Sequence, residues 1–254
     1  MKKIICYCIA NAALLLSGCS SNNHLVTKKI DKTQYVNTFI GTGGHGHTFP
    51  GATVPYGMVQ LSPDTRTLGW DACGGYHHTD NSIIGFSHTH LSGTGISDLG
   101  DILFMPFSGK PKLVSGTPED PDSGYRSKFS HKDEKAEPGY YAVKLLDYNI
   151  NAELTTTARA GFHKYKYNNV GQSGIIIDLS HTIYADKNPN HEIRIINNTE
   201  IQGFKKSSGW AEDQSVFFHA KFNKPFRYTF YENGKKLDAS QIAKSKNLQV
   251  VFRI

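Results

Sequence analysis

Residues 140–157 read Tyr140-Tyr141-Ala142-Val143-Lys144-Leu145-Leu146-Asp147-Tyr148-Asn149-Ile150-Asn151-Ala152-Glu153-Leu154-Thr155-Thr156-Thr157. Ile150, Ala152, Leu154 and Thr156 fall on one face and polar residues on the other, the period-two pattern of a half-buried strand. The run 140–145 before it is also compatible with a strand. Working outward, short apolar or alternating runs recur at 83–86, 102–105, 162–167, 174–179, 216–222, 226–231 and 248–254. Asn233-Gly234 stands where a tight hairpin turn is expected. Helical periodicity is confined to one candidate, 239–246. The reading is all-β, a β-sandwich. Residues 109–138, rich in Pro, Gly, Ser, Asp and Lys, read as an extended excursion between sheets.

The two ends carry different messages. Lys2 and Lys3 precede an apolar run from Ile4 to Leu16, too short for a confident membrane span, and Leu16-Ser17-Gly18-Cys19 resembles the lipobox of bacterial lipoproteins. Residues 1–18 are therefore expected to be a signal peptide, with Cys19 lipidated and 19–33 a polar tether to a domain spanning 34–254. That places the protein in the cell envelope, anchored to a membrane. The non-acidic Ser20, Ser21, Asn22 and Asn23 favour the periplasmic side over the outer surface. Cys6 and Cys8 leave with the signal, so Cys73 remains as a single free thiol and the fold must rest on its core. At the other end, residues 248–254 stop on a strand with no polar tail. An open strand edge is normally covered, so a continuation downstream is expected.

The formal charge of +6 is spread through Lys-rich loops, with no basic tract of the kind that binds nucleic acid. The roughly 230 residues left after processing can bury a substantial core.

The chemistry concentrates between Gly41 and Asp101, where His45, His47, His77, His78, His88 and His90 supply half of the chain's 12 His among many glycines. Gly69-Trp70-Asp71 sets an aromatic plate beside a carboxylate. A sugar ring offers an apolar C–H face to such a plate and hydroxyls to the carboxylate and to neighbouring His. A core Trp fits the same composition equally well. Cys73 reads as a packed or rim thiol rather than a nucleophile. In a strand His88 and His90 would share a face, which suits ligand hydrogen bonding or a zinc or copper site. His45-Gly46-His47 repeats the spacing, with Asp98, Asp101 or His77 available as a third metal ligand. Asp64, Asp71, Asp80, Asp98 and Asp101 could include an acid and base pair, though inverting glycoside hydrolysis needs the two about 6.5–9.5 Å apart, a separation that sequence does not give. From residues alone, a sugar site, a stand-alone carbohydrate-binding lipoprotein and a His-based metal-binding domain all stay open.

The blocks Val36-Asn37-Thr38-Phe39-Ile40-Gly41-Thr42, Pro50-Gly51-Ala52, Pro55-Tyr56-Gly57-Met58, Gly69-Trp70-Asp71-Ala72-Cys73, Gly75-Tyr76-His77 and Gly85-Phe86-Ser87-His88-Thr89-His90-Leu91-Ser92-Gly93 keep order and spacing. Together they resemble glycoside hydrolase family 92, bacterial exo-acting α-mannosidases, from about Tyr35 to the end. The resemblance implies a supersandwich-like N-terminal β-domain that packs on a helical (α/α)₆ barrel, calcium dependence, inversion, and removal of terminal α-mannose from N-glycans or mannans. It also implies that the acid, the base and most calcium ligands belong to the helical domain, which this sequence lacks. No catalytic residue is therefore assigned here. Trp70, Asp71, Cys73, His88 and His90 are the expected sugar contacts, and the chain alone is expected to be inactive.

Overall fold

Runs such as Leu103-Phe104-Met105-Pro106-Phe107 and Ile175-Ile176-Ile177 are apolar at every position because their strands are buried on both faces. The computed structural model describes residues 30–169, 171–183 and 189–254. The expected signal peptide, Cys19 and most of the tether lie outside them, and Thr33–Ile254 forms one compact unit.

In chain order the strands are β1 (Ser62–Asp64), β2 (Ser82–Ile83), β3 (Gly85–Ser87), β4 (Leu103–Ser108), β5 (Ser127–Lys128), β6 (Lys135–Glu137), β7 (Tyr140–Leu145), β8 (Ile150–Thr156) and β9 (Gly161–Tyr167). They continue as β10 (Ser173–Asp178), β11 (Asn190–Ile195), β12 (Glu200–Ser207), β13 (Gln214–Lys221), β14 (Arg227–Glu232), β15 (Lys235–Lys236), β16 (Ile242–Ser245) and β17 (Leu248–Arg253). A seven-stranded sheet runs β1-β3-β4-β10-β17-β14-β15, and two four-stranded sheets run β6-β7-β8-β9 and β13-β12-β11-β16.

The seven-stranded sheet is the middle layer. Leu103, Met105 and Phe107 of β4, Ile176 of β10 and Val251 of β17 enter one core, closed by Tyr141, Val143, Leu145, Ile150, Ala152 and Leu154 of β7 and β8. The alternate residues Phe104, Ile175, Ile177, Val250 and Phe252 enter a second core, closed by Ile193, Ile195, Ile201 and Ala243. Each such side chain contributes about 1.5–3 kcal/mol on leaving water, so among the described residues, where Cys73 is a free buried thiol, the two cores hold the fold. The result is an all-β, supersandwich-like domain.

Three expectations need adjustment. Residues 239–246 are not helical: Ile242–Ser245 is strand β16, pairing with β11 and burying Ala243. Ala243 is the sole buried residue of that strand, too sparse a signal for either period. Residues 248–254 do not form an open edge, because β17 pairs with β10 on one side and β14 on the other. The excursion 109–138 is also more than a loop. It carries β5 and β6 and buries Tyr125, Arg126 and Phe129, with Tyr125 Oη donating to Asp178 at 2.9 Å and Arg126 Nη2 to the Thr65 carbonyl at 2.6 Å. The Asn233-Gly234 turn joins β14 to β15 with positive φ at both residues (49° and 74°), as a type I′ hairpin requires.

Ile176, fully enclosed between β4 and β17, sets a test of this layering. Ile176→Ala should lower unfolding free energy by about 2–5 kcal/mol in urea titrations. Phe217→Ala, at a position 76% exposed, should change it by less than about 0.5 kcal/mol.

Candidate functional site

Loops 65–81 and 88–102 both spring from the β1 and β3 side of the middle sheet. Trp70–Ala72 is a single 3-10 turn entered through Gly69, whose φ of 91° is open chiefly to glycine. The Trp70 side chain projects outward and is 60% exposed. Its ring edge rests over Gly95, where an added Cβ would fall 2.6 Å from the indole. The His47 ring meets Trp70 edge-on, with centroids 5.1 Å apart. An exposed indole held on two sides is a rigid plate, not a core residue.

Asp71 is the hinge of this surface. Its Oδ1 lies 2.7 Å from His45 Nδ1 and 3.1 Å from His47 Nε2. His47 Nδ1 donates to the Thr94 carbonyl at 2.7 Å, which fixes the ring between the 41–48 loop and the 93–97 loop. The hydrogen bond from His45 is the leading cause that holds the Asp71 carboxyl below its usual range. Asp71 is therefore an ionised acceptor beside an aromatic plate, able to take hydrogen bonds from hydroxyls. Cys73 is buried directly beneath, with Sγ 3.0 Å from the Trp70 carbonyl and 3.6 Å from Ser97 Oγ.

His88 and His90 do not join this group, nor do they share a strand face. β3 ends at Ser87, and the two rings take separate partners. His90 is buried, with Nε2 2.7 Å from Asp64 Oδ1, while Asp64 Oδ2 meets His181 Nε2 at 2.7 Å. His88 Nδ1 donates to the Ile102 carbonyl at 2.7 Å. Its Nε2 is then an acceptor, and His163 Nε2 donates to it at 3.0 Å. His163 Nδ1 in turn accepts from Tyr165 Oη at 2.7 Å. Burial pushes His88 down to about 4 and His163 well below its ordinary value, so both rings are neutral links in a directed chain.

The suggested third ligands are occupied elsewhere. Asp98 accepts from the Leu99, Trp210 and Gln214 nitrogens at 2.7, 2.8 and 3.1 Å. Asp101 pairs with Lys205 at 3.0 Å, both side chains fully enclosed. His77 spans Thr79 Oγ1 and the Gly44 carbonyl at 2.8 and 3.1 Å. It is Asp71, 24 residues from His47, that completes the His45 and His47 cluster. Nothing in a His-x-His spacing marks that pairing. His163, His181 and Lys205 were likewise illegible, because their partners lie 75 or more residues away for His163 and His181. A depression of about 550 Å³ lined by Gln172, Phe226 and Arg253 includes none of these residues, while the Trp70 indole stands 60% exposed at the surface.

Residues 35–254 match the glycosyl hydrolase family 92 N-terminal domain. The chain belongs to that family. It is 42% identical to the solved family GH92 alpha-mannosidase of Bacteroides thetaiotaomicron determined with mannoimidazole, with a TM-score of 0.84 over 87% of this chain and 30% of that one. A family GH92 inverting mannosidase from the same organism shares the fold at 24% identity, with a TM-score of 0.72 over 89% of this chain and 30% of that one. An uncharacterized secreted glycosidase of Arthroderma benhamiae is 35% identical over 165 residues, 59% of this chain and 20% of its own length. The chain thus spans under a third of each of these proteins.

The neutral His pair gives a pH signature. A base whose folded pKa is depressed stabilises the fold above its unfolded value, near 6.5, and progressively less as pH falls toward about 4. Urea midpoints should therefore be flat above pH 7 and decline from about pH 6.5 to about pH 5, the part of that window above carboxylate titration.

Proposed function

We propose that this chain supplies the sandwich wall of an α-mannoside pocket in an inverting α-mannosidase, acting on terminal mannose of N-glycans or mannans. One observation carries the reading: a rigid, exposed Trp70 stands beside an ionised Asp71 whose Oδ1 is braced by two imidazoles. The indole would take the sugar's C–H face and Asp71 its hydroxyls. The solved relative bound to mannoimidazole supports the choice of mannose.

The opposite wall, with the acid and the base, is assigned to a helical domain. Tyr56, Met58, Leu68 and Ile96 are all exposed, apolar and carried on loops of this half of the fold, in keeping with a surface made to be covered. Calcium, which the family likeness implies, does not fit the residues described here. Both clusters able to hold an ion are built on imidazoles, whereas calcium takes six to eight oxygens. Any calcium is therefore placed with the helical domain, and no step is derived through it.

Purified at this length, the chain should release no mannose from an α-mannoside, with or without calcium. It should show weak mannose-induced NMR shifts that Trp70→Ala reduces by about tenfold in affinity, the size of a lost stacking contact. Calcium-dependent mannose release from this chain would overturn the assignment.

We further propose that Cys19 carries a lipid that holds the protein in the envelope. Cys19→Ala should abolish labelled fatty-acid incorporation and shift the protein from the detergent to the aqueous phase on partitioning. Unchanged labelling would refute the anchor.

A further inference from the structure

A second cluster, sharing no residue with the Trp70 wall, lies between the 77–80 loop and the short 3-10 turn His131–Asp133. At its base is Glu134, whose side chain is only 1% exposed. Tyr76 Oη donates to Glu134 Oε2 at 3.0 Å and Tyr141 Oη to Oε1 at 2.6 Å. The carboxylate is thus fixed in place, with its outward side facing two rings.

His131 Nδ1 sits 2.7 Å from Glu134 Oε2. The His78 ring lies beside the His131 ring, centroids 4.3 Å apart and tilted by 33°. Neither ring is adrift. Phe129 packs edge-on against His131 at 5.0 Å, Phe39 edge-on against His78 at 5.8 Å, and the His78 backbone N–H donates to the Thr42 carbonyl at 2.8 Å. Yet neither ring nitrogen of His78 has a hydrogen-bond partner in the protein among the described residues. Imidazole nitrogens and carboxylate oxygens are ligands that zinc takes, with nitrogens about 2.0–2.1 Å from the ion. One ligand atom from each of the three residues falls within 4.8 Å of the other two.

We infer that His78, His131 and Glu134 form a zinc-class metal site, with water completing the coordination. Two imidazoles and a carboxylate suit zinc over calcium or magnesium. The two phenol donors to Glu134 supply the outer hydrogen bonds that orient a ligating carboxylate. The ion would tie the 77–80 loop to the excursion at its junction with β6, a link the protein otherwise makes through ring contacts alone at His78.

Zinc chloride titrated calorimetrically into the full purified chain should show one ion bound per chain, and the same addition should raise Tm by mass action. Because the His78 ring is exposed and makes no hydrogen bond to the protein, His78→Ala should keep the zinc-free Tm. It should weaken zinc binding at least tenfold and lose the zinc-induced rise. His131→Ala should weaken uptake similarly. Failure of the wild-type chain to take up a stoichiometric ion would overturn the inference. So would uptake that survives His78→Ala and is lost in His47→Ala, which would move the ion to the other cluster.

Discussion

A single enclosed carboxylate, Asp64, ties the loops to the sheet. Burial alone would push its pKa up. The His90 charge and the hydrogen bonds from His90 and His181 reverse that and hold it far below the ordinary carboxylate range. Both oxygens are spent on imidazoles from segments 26 and 117 residues away. Removing either partner would leave a charge uncompensated in a dry interior, a far larger loss than the pair's own net worth. The arrangement also explains Gly75, where a Cβ would sit 2.2 Å from Asp64 Oδ1. From the next residue, Thr65 Oγ1 accepts the His77 N–H and donates to Asp80, and Asp80 takes Arg66 as well. The loop that presents Trp70 is hung on that hub.

Layering and surface chemistry are linked through the same strands. The central strands β4, β10 and β17 are buried on both faces, which leaves edges and loops to carry the surface chemistry. The β1 and β3 end does this. Its loops pair across the 41–48 segment through His47 and Thr94, making a wall that is rigid at the backbone and open at the side chains. Lys205 and Asp101 brace the far side of the 88–102 loop from β12, so the outer sheet, too, helps fix the loop's position.

Much of the architecture could be read from the residues. β7, β8 and β9 alternate cleanly, and β10 and β17 stand out as short apolar runs bounded by turns. β11 and β12 carry no such mark. Their inward residues are Ile193, Ile195 and Ile201, but also His191 and Lys205, and a buried lysine breaks the alternation that marks a strand. That Trp70 and Asp71 stand side by side could be read from Gly69-Trp70-Asp71, since adjacency in sequence carries it, whereas the exposure of the indole is a matter of packing that composition leaves open. The His residues were harder, because each ring's role depends on an acceptor far along the chain. His45 and His47 meet Asp71, His88 meets His163, and His90 meets Asp64. Spacing within one segment holds no trace of such partners.

The placing of β17 between β10 and β14 bears on how the protein is made. Translation delivers β10 some seventy residues before β17. Until Leu248–Arg253 clears the ribosome, the nascent middle layer exists as two half-sheets, β1-β3-β4-β10 and β14-β15, each with a bare inner margin. Both cores stay unsealed through that interval, since Val251 belongs to one and Val250 and Phe252 to the other. β17 is the keystone of the middle sheet, and a chain in which it has not yet docked presents two sticky margins to holdases or to its neighbours.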